Sequence, residues 1–348
     1  MAQPFDLQRL ATTGEATPVV AQILTTGTPP LGVFSASNAG VLAFQAPAAR
    51  PKSRLEWLTR AGQSAAVLSD WGDWGDVELS PDGKRAAATL VDTAFGSRDI
   101  WLFDLLRGLQ TRFTSDPGED DTPIWDPRSD RVVFDSSRTG PLELYEKATS
   151  EAHVEKLLLE DSRNKFPASF SPDGRYMLYM VDNGGASGWD LWALPFFGTR
   201  KPFPFIQTPN NEAQGRFSPD GRWVAYVSNE SGRYEVYVTA FPGGSEKWQV
   251  SSGGSVTLGG WPRWRHDGNE LFYLMPDDTI MAVSVTSQGD RLEVSAPHAL
   301  FRVPRLIRRR WAYDVSLDGQ RFLVTTTAED TPPPPVTVVV NWHAALSH

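Results

Sequence analysis

The sequence predicts an all-β chain closed into a single β-propeller, seven four-stranded blades being the simplest count and six the fallback. The first observation is a repeated turn. Ser-x-Asp-Gly runs straight into a hydrophobic stretch at Ser80–Gly83, Ser171–Gly174, Ser218–Gly221 and Ser316–Gly319. Degraded copies surround Gly40, Ser129 and Gly268. The second observation is the period: Gly40, Gly83, Ser129, Gly174, Gly221, Gly268 and Gly319 are spaced by 43, 46, 45, 47, 47 and 51 residues. A fixed period in this range, with several short strands per unit, is the mark of a propeller. The third is the alternation of apolar and polar residues that follows each turn.

Each unit reads alike. An apolar or aromatic residue (Phe34, Leu79, Trp125, Phe170, Phe217, Trp264 or Val315) precedes the turn and belongs on a short inner strand. Asp-Gly then makes a tight turn, because Gly accepts positive φ and Asp bonds nearby backbone. An alternating strand follows, as in Arg175–Met180, Arg222–Val227 and Glu270–Leu274. A third, exemplified by Asp99–Phe103, Asp190–Leu194 and Glu235–Val238, comes after a polar loop. A fourth, such as Gln110–Thr114, completes the blade. The repeated Ser, Asp and Gly are therefore expected to be structural.

Length and composition fit one toroid spanning residues 1–348. The 29 Gly and 27 Pro supply turns, and the 13 Trp are expected to fill the wedges between neighbouring sheets. A net charge of −9 argues against nucleic-acid binding, which needs a basic face. With no cysteine, disulfides, thiol catalysis and thiolate metal sites are excluded. No apolar run of about 20 residues occurs to span a membrane. The start, Met1–Asp6, shows no basic stretch followed by an apolar core, so no signal peptide is visible.

The Ser-Pro-Asp-Gly strand starts, the Asp-Ile-Trp and Asp-Leu-Trp third strands and their spacing resemble the TolB-like propeller family. More closely, Arg98–Thr114, Phe217–Val238, Phe241–Gly254, Pro262–Leu274, Tyr313–Val324 and the ending Val336–Trp342 resemble the propeller halves of bacterial receptor-type serine/threonine kinases. That resemblance implies an extracytoplasmic placement and a role in sensing or contact. It implies no chemistry here: the Gly-rich phosphate loop, His-Arg-Asp and Asp-Phe-Gly are all missing from the sequence.

Residues 1–24 resemble the later half of a repeat and compare with Met281–Val303. Thr17–Leu24 is accordingly expected to close the ring by pairing with the blade begun by Tyr313–Val324, which removes exposed sheet edges. A second reading, that the sequence is a piece of a longer protein, stays open at this point.

Catalytic patterns are sparse. No Gly-x-Ser-x-Gly elbow occurs, and the five His are scattered without ligand spacing, His266 lying in a degenerate turn. Glu119-Asp120-Asp121 and Asp277-Asp278 read as solvated loop acids and lack a calcium-loop pattern. No cofactor and no metal site are expected.

Two segments break the repeat. Ser69–Asp76 carries Trp71 and Trp74 in a Gly/Asp-rich loop, where exposed aromatics make contact hot spots; the competing reading folds them into the inter-blade wedge. Arg302, Arg305, Arg308, Arg309 and Arg310, ending at Trp311, form the densest positive run. Arg308, Arg309 and Arg310 are expected to lie exposed and, with Trp311 as a further candidate contact, to meet an acidic protein surface or the lipid headgroups of a membrane complex; the competing reading is a solvated loop. The expected function is a non-catalytic interaction module, sensor domain or accessory subunit. The alternatives are a lactonase- or hydrolase-like enzyme with a channel metal, and a small-ligand sensor.

Overall fold

A computed structural model describes residues 2–3, 5–17, 19–20, 23, 25–26, 31–45, 52–91, 97–150, 154–184, 188–243, 246–257, 259–289, 291–307, 310–328 and 336–342. The chain divides into two compact bodies, residues 52–328 and residues 1–51 with 329–348, where one domain was expected. The described residues contain strands and turns and no α-helix.

The larger body is a ring of six antiparallel sheets, each running outward from a short innermost strand. Blade I comprises Trp74–Leu79, Arg85–Val91, Arg98–Asp104 and Leu109–Arg112. Blade II comprises Asp120–Trp125, Arg131–Ser136, Glu143–Ala148 and Lys156–Leu159. Blade III comprises Lys165–Phe170, Tyr176–Asp182, Trp189–Pro195 and Phe203–Ile206. Blade IV comprises Glu212–Phe217, Trp223–Ser228, Glu235–Ala240 and Lys247–Gln249. Blade V has Arg263–Trp264, Glu270–Leu274 and the long Thr279–Gln288, whose outer neighbours are Arg291–Val294 and His298–Arg302.

Blade VI is composite. Its inner strands are Tyr313–Val315 and Arg321–Thr327, its outer strands Ser53–Thr59 and Ser64–Val67. The innermost strands lie side by side in order, and that of blade VI lies beside that of blade I, so the ring closes. The closing strand is thus Ser53–Thr59, paired with Arg321–Thr327 over its full length. This corrects the expectation for Thr17–Leu24. Tyr313–Val315 and Ser53–Thr59 already occupy both edges of Arg321–Thr327, and the described pairing of Thr17 is with Ala2. Residues 18, 21, 22 and 24 lie outside the described residues.

The seventh marker unit, around Gly40, forms a separate three-stranded sheet in the smaller body, ordered Val336–Val340, Val41–Gln45, Phe34–Ala36. Seven repeat units therefore make seven sheets, six of which complete the ring of residues 52–328.

The repeated turn has a common chemistry. In blades I, III, IV and VI the Ser hydroxyl donates to the Asp carboxylate, at 2.6 Å for Ser80–Asp82, Ser171–Asp173 and Ser316–Asp318 and 2.5 Å for Ser218–Asp220. The Asp accepts the backbone N–H two residues on, and the Gly N–H returns to the Ser carbonyl. Gly83 has φ +69°, and a Cβ there would lie 3.0 Å from Leu317 of the adjacent blade. Ser129 holds the same left-handed conformation at φ 61° and ties blade II to blade I through Asp82 N–H, 3.3 Å from its hydroxyl. The marker is an inter-blade clasp as well as a turn.

Candidate functional site: the channel funnel and its plug

All six innermost strands converge on one funnel of about 350 Å³. Its collar is the residue after the marker Ser or its equivalent in each blade: Pro81, Pro127, Pro172, Pro219, His266 and Leu317. Below the collar stand aromatic walls, Trp125, Phe170, Phe217 and Trp264. The two indole N–H groups donate across blade boundaries, Trp125 to the Glu78 carbonyl at 3.2 Å and Trp264 to the Arg216 carbonyl at 3.1 Å. This is why an indole can stand at the position before the turn: it fills the wedge and meets a neighbouring backbone acceptor.

The floor is an ion-pair quartet drawn from four blades. Arg216 clamps Glu78 bidentately, with both N···O distances 2.6 Å. Arg263 reaches Glu78 Oε2 at 3.2 Å and Asp314 Oδ1 at 3.2 Å. Asp314 Oδ2 accepts the Leu79 N–H at 2.7 Å. Burial pushes the Glu78 carboxyl up, opposed by the Arg216 and Arg263 charges. Burial likewise lowers Arg216, and the Arg263 charge adds to that effect. A fork-on-carboxylate geometry is the arrangement that makes such buried charges tolerable.

Behind the floor lies Trp311. Its ring centroid is 4.0 Å from the Arg216 guanidinium carbon and 5.0 Å from that of Arg263. Its backbone N–H donates to Asp76 Oδ1 of blade I at 3.0 Å, and its carbonyl accepts the Val77 N–H at 3.2 Å. The preceding residue, Arg310, stacks on Phe166 of blade III with its guanidinium carbon 3.6 Å from the ring centroid. The segment leading to blade VI therefore plugs the axis, touching blades I, III, IV and V.

This overturns the expectation for Trp311, which is 0% exposed, and for Arg310, which is half-buried against Phe166 rather than presented to a partner. A guanidinium and an indole are both well used against aromatic and cationic planes, so the segment's stacking outweighs its solvation. Arg308 and Arg309 lie outside the described residues.

The tryptophan pair of the first irregular segment divides. Trp74 is 3% exposed, packs on Phe103 at 5.3 Å and donates its indole N–H to Asp70. Trp71 is 43% exposed with the Arg54 guanidinium 4.8 Å from its ring, so it keeps the character of a surface contact residue. The acidic run Glu119-Asp120-Asp121 is corrected as well: Asp120 begins the innermost strand of blade II, fully buried on Arg138 at 3.0 Å, and Asp121 pairs with Arg98 at 3.2 Å. Among the described residues no group of three or more His, Asp or Glu is arranged to hold a metal ion. No helix of the described residues is long and apolar enough to cross a membrane.

Residues 50–191 match the profile of the TolB beta propeller domain. An uncharacterized protein of Agrobacterium fabrum is 30% identical over 135 residues, 37% of this chain and 43% of its own length. The chain thus spans less than half of that curated relative. A solved chain assigned to TolB from Agrobacterium tumefaciens is similar with TM-score 0.61 and 14% identity, covering 81% of this chain and 100% of its own. TolB from Acinetobacter baumannii is similar with TM-score 0.55 and 18% identity, covering 74% of this chain and 68% of its own. At those identities the likeness is one of fold. Repeat, ring and profile agree on a β-propeller fold, within which residues 50–191 are similar to the TolB beta propeller domain.

Proposed function

We propose that the chain is a non-catalytic interaction module whose funnel mouth receives a protruding segment of a partner protein. One observation carries this reading: the charged groups of the floor engage one another, while the collar and walls present proline, leucine, one histidine and aromatic surface. Carboxylates engaged by guanidinium groups in this way are poorly placed to act as nucleophile or general base, whereas concave aromatic surface on a rigid ring suits recognition. TolB-like relatives give the same coarse expectation. The finer resemblance to receptor-kinase propellers supports the sensing or accessory role. Trp71, on the outer surface, is a second contact candidate.

The test is site-specific photo-crosslinking in the native host. A photoreactive residue at Leu317, in the collar, is expected to capture one protein species. The same residue at Leu109, on an outer strand, is expected to capture none in common with it. Equal capture at both positions, or none at Leu317, would overturn the reading.

The funnel volume of about 350 Å³ also falls in the range of small-ligand sites and favours ligand sensing as a second reading. A small molecule that co-purifies with the chain and is lost on Trp264→Ala replacement would select it.

A further inference from the structure

The sheet around Gly40 has the form of a blade without its last strand. In blades I to IV and in blade VI the innermost strand is followed by three more. Here Phe34–Ala36 stands in the innermost place, Val41–Gln45 in the second and Val336–Val340 in the third. Among the described residues no strand pairs with the far edge of Val336–Val340. Val336, Val338 and Val340 alternate onto one face and are 60%, 58% and 67% exposed.

The outermost strands of the ring are guarded against stray pairing. Arg112 stands in that of blade I, Lys156 in blade II, Pro204 in blade III and Lys247 in blade IV. Blade V carries Arg291 and Arg302 in its two outer strands, and blade VI ends on Ser64–Val67, mostly Ser and Ala. Charges and prolines are the devices by which an edge refuses another strand. Val336–Val340 has neither, so its apolar edge is open to strand addition. Its two neighbours, Val41–Gln45 and Phe34–Ala36, are uncharged as well. Two copies of a chain with net charge −9 can therefore meet at this sheet without setting like charges against each other.

We propose that Val336–Val340 pairs antiparallel with the same strand of a second copy, about a two-fold axis through Val338. Each strand then serves as the other's missing fourth, and two three-stranded sheets become one of six strands. An axis through the middle residue is the register in which all five residues overlap. It sets Val338 opposite its own counterpart and Val336 opposite Val340, so the exposed valines meet valines on one face. On the other face Thr337 meets Val339. Strand addition of this kind draws its affinity from backbone hydrogen bonds and its register from the side chains that face each other.

The test uses the full chain, its mass followed by light scattering on a size-exclusion column over a concentration series. The parent is expected to approach twice 38.5 kDa as concentration rises. Val338→Lys and Val338→Glu should each remain monomeric, because each sets like charges directly opposite at the axis. Both should keep the circular dichroism spectrum of the parent, since the side chain is exposed. Mixed in equal amounts, the two variants should recover the dimer, a result specific to a register with residue 338 opposite itself. A parent that is monomeric throughout the series overturns the proposal. So does a dimer that survives either substitution, or a mixture of the two variants that stays monomeric.

Discussion

The guanidinium of Arg216 lies between two partners of opposite kind: the Glu78 carboxylate, at 2.6 Å to each nitrogen, and the Trp311 ring, 4.0 Å from its carbon. The two terminal nitrogens of one planar cation meet charge, and its face meets the indole quadrupole. Blade I is thereby joined to blade IV and to the plug through a single side chain.

Removing Glu78 should accordingly be among the more damaging single changes to the ring. Glu78→Ala leaves Arg216 and Arg263 buried with their main counter-charge gone, for an expected loss of about 3–5 kcal/mol. Urea unfolding followed by circular dichroism measures it. A loss below about 1 kcal/mol, the scale of an exposed pair, would mean that water reaches the floor freely.

The marker glycines should differ from other left-handed glycines. Gly83→Ala meets both a φ of +69° and Leu317 at 3.0 Å, whereas Gly108→Ala meets a φ of +66° and open space. The second should lose about 1 kcal/mol and the first measurably more, because the neighbouring blade must yield. Thermal melts of the two variants decide this; equal losses would remove the clasp from the account.

The two tryptophans of the first irregular segment give opposite expectations. Trp74→Ala should lose about 3–5 kcal/mol, as for a large buried aromatic. Trp71→Ala should leave the melting temperature close to that of the parent and weaken partner capture if the outer surface takes part in binding. A strongly destabilised Trp71→Ala would show that its stack on Arg54 is structural.

Stability should also fall as pH rises through the window set by Asp135. The carboxyl stands at about 7 in the fold and starts from 3.8 when free. Between these values the folded chain binds the proton more tightly than the unfolded chain. The stabilisation is therefore complete below the lower value and is lost as pH climbs to the upper one. Its contribution is at most about 1.4 kcal/mol for each pH unit in that window. Asp135→Asn should lack this component, visible as a flatter profile of unfolding free energy against pH.

The repeat and its turns were legible because their causes are local. Ser80, Asp82 and Gly83 bond within a few residues of one another, so the pattern survives as a tetrapeptide. The residues before the turn stood on innermost strands in the six ring blades for the same reason, whereas Phe34 lies exposed on an edge strand of the smaller body. Ring closure and the plug were not legible, because each depends on which segments meet across the axis. Ser53–Thr59 has no turn marker of its own. Its signal was Trp57, which sits in a third strand as Trp101 and Trp192 do. Arg310 and Trp311 read as a surface charge run because a sequence does not show that Phe166, Arg216 and Arg263 wait opposite them.

The two bodies of the chain lead to a separate expectation. Residues 52–328 contain every strand of the closed ring, so a chain of those residues alone should fold and unfold in one transition. A chain starting at Gly72 lacks Ser53–Thr59 and Ser64–Val67 and should aggregate through the bare edge of Arg321–Thr327. Size-exclusion chromatography separates these outcomes, and a monomeric, stable product from the shorter chain would refute the closure described above.

The composite blade also sets a timetable for biosynthesis. Ser53–Thr59 leaves the ribosome before the rest of the ring, and its partner Arg321–Thr327 follows roughly 260 residues later. At about 5–20 residues per second this is a delay of roughly 15–50 s, during which one edge of the strand has no native neighbour while Ser64–Val67 covers the other. Blades I to V can form in order while the first strand waits. A nascent chain of this protein thus carries an unsatisfied β-edge while roughly 260 further residues are made, and slowed elongation should lengthen its exposure to chaperones in direct proportion.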